Sequence, residues 1–168
     1  IWIIGLIGAG VTLPIFFTEF QTSGTEKQVE EFVMPQDNML KLDALHSDDE
    51  FSKVRLTIRG HKGEKVELIK WLESRGRTRQ NAIENARNIQ YQVTQLDSVL
   101  QFDSRYTLAE GAPYRGQNIK LRLHIPYETK FTMSRELGNL LLNTLHPNGY
   151  KVRHLGEQNI WKYEEGRG

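Results

Sequence analysis

Trp71, Arg75, Arg77 and Arg79 fall within nine residues, and Arg87 follows eight residues later. Guanidinium groups beside an indole can track a phosphate backbone and stack a base, or they can dock an acidic protein surface. The pattern around residue 79 is that of a helix start, where the backbone already carries partial positive charge. Three arginines there oppose the helix, so the cluster calls for an acidic partner. The acidic residues between 19 and 50, from this chain or a neighbour, are the natural one. For a domain outside the cytoplasm, nucleic acid is the unlikely one. Trp161, with Ile160 and Tyr163, offers a second apolar surface to the domain or to a partner. Trp71, Arg75, Arg77, Arg79, Arg87 and Trp161 are together the expected interaction surface.

Nothing else in the chain nominates a reaction. There is no cysteine for a thiolate, and no HExxH, GxSxG or glycine-rich phosphate loop. His46, His61, His124, His146 and His154 are scattered without the spacing of metal ligands. His61 falls in an expected turn and His124 on the outward face of an expected strand, and both read as surface residues. His46-Ser47-Asp48-Asp49-Glu50 has oxygen ligands suited to Ca²⁺ but reads as a solvated acidic turn. A carboxylate pair for glycoside hydrolysis is defined by a separation in space, and the sequence singles out none. The expectation is a protein that is not an enzyme and uses no cofactor, with an envelope hydrolase the third reading.

The elements that would position these residues are mostly strands. Val54, Leu56 and Ile58 alternate with Lys53, Arg55, Thr57 and Arg59; Ile119, Leu121, Leu123 and Ile125 alternate with Lys120, Arg122 and His124. Such alternation describes sheets with one buried and one wet face. Further strands are expected at 39–45, 66–72, 91–95, 99–102, 130–133, 151–154 and 159–163. Gly60-His61-Lys62-Gly63 reads as a turn from which 66–72 returns. One helix is expected over 79–89. Arg75-Gly76-Arg77 breaks the strand before it, Thr78 is a good N-cap, and Ala82, Ile83, Ala86 and Ile89 share a face.

Residues 1–17 carry no charge. At about 1.5 Å per residue a helix of that length falls just short of a hydrocarbon core. The missing turn is expected upstream. Gly5, Gly8, Gly10 and Pro14 weaken a helix in water and are better tolerated in a membrane. The expected organisation is a transmembrane segment over 1–20, an acidic linker or stem over 21–38 and a β-rich soluble domain over 39–165. Residues 1–50 hold two basic residues, Lys27 and Lys41, against nine acidic ones. A flank so poor in lysine and arginine favours translocation, placing the domain on the periplasmic side of the inner membrane. Beyond residue 50 the balance reverses to an excess of eight basic residues.

Gly76-Arg77-Thr78, Ala82, Ala86, Ile89 and Tyr91 are followed by Leu100 and Phe102. Tyr114-Arg115-Gly116-Gln117-Asn118-Ile119, Leu123-His124-Ile125-Pro126 and Ile160-Trp161-Lys162-Tyr163 complete the set. Over roughly residues 50–165 this resembles the C-terminal extracytoplasmic region of Bacteroidetes-type membrane proteins that carry a phage-shock-protein-C (PspC) domain. The stretch from Ile125 to Phe131 is similar to the strand, proline, turn and strand of adhesin-head-like β-solenoids. The resemblance implies a mainly β fold, solenoid or sandwich, with one short amphipathic helix behind an N-terminal transmembrane helix. It implies a non-catalytic sensing or interaction module of an envelope-stress regulator, with a structural or adhesin-like assembly domain as the alternative. The implied partners are membrane lipid and other membrane-protein subunits or further copies of the chain.

Overall fold

The structure, a computed structural model, describes residues 21–45 and 54–166. The expected transmembrane segment and the acidic turn at 46–50 lie outside these residues. Among the described residues no helix is long and apolar enough to cross a membrane.

Among the described residues ten strands and one α-helix, α1 (Arg79–Arg87), make a mainly β protein. One sheet has the order β1 (Thr22–Phe32), β4 (Val66–Gly76), β9 (Asn118–Pro126), β3 (Val54–His61). A second has the order β10 (Lys130–Met133), β2 (Met39–Ala44), β7 (Val99–Phe102), β6 (Val93–Leu96). A short pair joins β5 (Ile89–Gln90) to β8 (Thr107–Leu108). Neither four-stranded sheet closes on itself.

The described chain divides into two compact units. The first comprises residues 21–26, Leu72–Gln90 and Leu108–Asn118; the second holds the remainder. The core of the second unit follows from the alternation. β3 and β9 pair in parallel with Leu56 opposite Leu121 and Ile58 opposite Leu123, and these four side chains are buried. In the other sheet Leu40 faces Phe131 on β10, while Leu42 lies between Met133 and Leu100. Ala44 lies opposite Phe102, a small residue beside a large one. Each such Leu, Ile or Phe contributes about 1.5–3 kcal/mol by leaving water.

Four expectations are corrected. Residues 21–38 are not a linker or stem in the main, because Thr22–Phe32 forms β1. An edge strand that buries only Gly24 reads as polar and acidic, and composition alone mistakes it for a tether. Residues 66–72 do not return from a hairpin at 60–63. β9 lies between β3 and β4, and no residue from 60 to 65 adopts the positive φ of a tight hairpin turn. The strand expected over 66–72 is longer: β4 runs on to Gly76, and the break falls within the Arg75-Gly76-Arg77 triplet, at Arg77. Residues 151–154 and 159–163 are not strands. Val152–His154 is a 3-10 turn, and Trp161 makes a single antiparallel bridge to Phe131. Gly149 at φ 77° and Gly156 at φ 155° interrupt any extended run there.

Candidate functional site

In the first unit, α1 opens at Thr78, whose hydroxyl accepts from the Asn81 N–H at 3.1 Å. Gly24 on β1 allows the helix its close approach: a Cβ there would lie 2.7 Å from the Ile83 nitrogen. Arg87 sits in the last turn, where a cation complements the helix dipole, and pairs with Glu26 of β1 at 3.3 Å. An acidic residue of the supposed stem is thus the arginine's partner within the same unit. Arg75 donates its backbone N–H to the Arg115 carbonyl at 2.9 Å and accepts from the Asn85 amide, also at 2.9 Å. Its side chain runs beside Gly116. Arg77 and Arg79 are exposed. The buried Gln117 amide holds the adjoining loop, accepting from the Arg115 N–H at 2.6 Å and donating to the Pro113 carbonyl at 3.0 Å.

Trp71 belongs to the second unit. Its cation there is Arg122, whose Cζ lies 5.0 Å from the ring centroid, a contact the sequence reading missed. On the same wet sheet face, Glu67 of β4, His124 of β9 and His61 of β3 converge. One ligating atom from each lies within 4.8 Å of the others. The His rings have centroids 5.3 Å apart, and His124 Nδ1 is 3.8 Å from Glu67 Oε2. Burial, and then the nearby His61 and Arg122, hold the His124 imidazole below its usual range, with Glu67 opposing. The parallel register that sets Arg59 opposite His124 carries His61 to the same corner. No linear spacing of histidines encodes that.

Trp161 lies elsewhere in the second unit. Its ring meets Tyr150 edge-on at 4.7 Å, and its backbone exchanges hydrogen bonds with Phe131 at 2.7 and 2.8 Å. With Tyr127, Phe131, Tyr163, Arg59 and Lys162 it lines a cavity of about 330 Å³. Gly60 makes room for this wall, since a Cβ there would lie 2.5 Å from the Tyr127 ring and 2.6 Å from the Tyr163 Cβ. The Tyr163 hydroxyl donates to the Ile58 carbonyl at 2.8 Å, and burial pushes that phenol up to about 12. The Trp161 indole N–H is buried and has no hydrogen-bond partner among the described residues.

Of the six expected surface residues, the four arginines therefore fall in the first unit and the two tryptophans in the second. Residues 42–167 match the family model described as a ToastRack found in some PspC proteins. No curated protein and no solved structure matches the chain. The matched segment spans most of the described strands and α1, and the chain belongs to this family of C-terminal ToastRack domains found in some PspC proteins.

Proposed function

We propose that this domain is a non-catalytic sensing and interaction module of a Bacteroidetes-type PspC envelope-stress protein, held on the periplasmic side of the inner membrane. The observation that carries the reading is the family match over residues 42–167. The uncharged run at 1–17 supports an anchor in lipid, and the acidic flank after it supports outward orientation. Contact with a partner is assigned to the cavity beside Trp161. Its aromatic walls suit an apolar side chain, and the unpaired indole N–H suits a backbone carbonyl. That is the chemistry of a polypeptide segment from another envelope protein. Protease digestion of residues 40–168 in intact spheroplasts, with lysed cells as control, tests the placement. Digestion without lysis is expected, and protection lost only on lysis overturns it. A photo-reactive residue at Tyr150, beside Trp161, tests the contact: it is expected to cross-link an envelope protein, and a surface position at Glu84 is not.

A structural, adhesin-like assembly role is the second reading. β1 ends its sheet among the described residues and leaves Val29 55% exposed. An unpaired edge of that kind can accept a strand from another chain. Light scattering separates the two: a lone monomer supports the interaction module, and concentration-dependent oligomers support assembly.

A further inference from the structure

We propose that His61, Glu67 and His124 form a binding site for a divalent first-row transition-metal ion, with Zn²⁺ the natural occupant. Two imidazoles and a carboxylate are a ligand set that suits zinc. The three side chains come from three adjacent strands, β3, β9 and β4, on one face of their sheet. Ligands around tetrahedral zinc sit about 3.3 Å apart, given bonds of about 2.0–2.1 Å. The present separations, within 4.8 Å, exceed that by no more than about 1.5 Å, a gap of the size side-chain rotation can close.

The groups that hold the His61 ring favour the same conclusion. His61 Nε2 lies 2.8 Å from the Lys65 carbonyl oxygen, which can only accept. Nε2 therefore donates, and in the neutral imidazole Nδ1 is the nitrogen left with a lone pair for a metal. A ligating histidine whose other nitrogen donates to a backbone carbonyl is oriented in just this way. Gly63 completes the cradle, because a Cβ at that position would overlap the His61 ring at Cε1. Its backbone is not in the left-handed region, so the missing side chain serves the ring's position and not the turn. Lys65 turns its ammonium to Glu31, and Arg122, whose charge is felt at His124, lies against the Trp71 ring. A bound ion would tie three strands together and leave a coordination position for water or for a partner's side chain.

Calorimetric titration of the untagged full chain in detergent with Zn²⁺ tests this. One saturable site per chain is expected. H61Q and H124Q are each expected to weaken it by about tenfold or more. Gly63→Ala keeps all three ligands and is expected to weaken binding by displacing the His61 ring, with stability unchanged. H146Q is expected to bind as the parent does. If the ligand variants fold poorly, ring ¹⁵N spectra of the parent decide: Zn²⁺ should shift two histidines and leave the other three. No saturable binding up to roughly 100 µM Zn²⁺, or binding that survives H61Q and H124Q together, overturns the proposal.

Discussion

At the scale of single residues, the most consequential charge is Lys70. Its side chain is 5% exposed, its ammonium meets Glu30 of β1, and the Tyr91 carbonyl lies 3.5 Å away. Removing one partner of such a pair leaves a buried charge without compensation, whereas removing the charge itself is often tolerated. Glu30→Gln is therefore expected to destabilise by about 1–3 kcal/mol, below the ~3–5 kcal/mol of a fully buried pair because Glu30 is 43% exposed. Lys70→Met should be close to neutral in the same urea titration. The exposed Lys65–Glu31 pair next to it should respond far less. Two phenols set the alkaline limit. Burial pushes Tyr163 up to about 12 and Tyr91 higher still, from an ordinary value near ~10. A raised value means the protonated phenol is favoured in the folded state. Its contribution is complete below pH ~10 and is lost as pH climbs towards 12. Melting temperature is expected to fall over that window, and less so in Y163F than in the parent. A melting temperature flat from pH 9 to 12 would show that both hydroxyls reach water in the native state.

At the scale of elements, the contact between β1 and α1 is the most exacting. A Cβ on Gly24 would sit 2.7 Å from the Ile83 nitrogen and 2.9 Å from the Ala82 carbonyl carbon, backbone atoms that cannot rotate aside. Gly24→Ala is expected to cost about 1–3 kcal/mol by overpacking. Hydrogen exchange in α1 should accelerate more than in β3. Uniform acceleration of both would mean that α1 and β3 open together. This contact also explains how much was legible. The helix and most strands were readable because their apolar residues keep a period of 3.6 or 2. Thr78 and the paired alanines even marked the helix start and its buried face. β1 was not readable, because the feature that makes it a strand is a neighbour: it buries a glycine under a helix and spends its acids on Lys65, Lys70 and Arg87. Pairing was illegible for a similar reason. Residues 60–65 look like a hairpin, yet β9, more than fifty residues later, takes the place beside β3.

At the scale of the whole chain, the family was visible in spaced residues, whereas the candidate site was not. Trp161 was identified from its apolar neighbours, but Tyr127 and Gly60, which build the cavity around it, were not. His61, Glu67 and His124 read as three unrelated surface residues until a parallel register joins them. That register is maintained in part by residues at the far end of the chain. Leu56 donates to the Leu140 carbonyl and accepts from the Leu142 N–H, each at 2.7 Å, which covers the outer edge of β3. Trp161 does the same for Phe131 of β10, and Gly156 donates to the Met133 carbonyl at 3.1 Å. Sheet edges left unpaired are templates for pairing with other chains. Ending the chain after residue 155 is therefore expected to keep most of the β-sheet circular dichroism but to uncover β10 and open the wall of the Trp161 cavity. The truncated protein should form concentration-dependent oligomers by light scattering, while a W161A full-length variant, whose backbone bridge survives, should stay dispersed. If the truncated chain also stays dispersed, the C-terminal segment is needed for the cavity alone. If W161A aggregates as well, the indole and not the backbone bridge is what protects the edge.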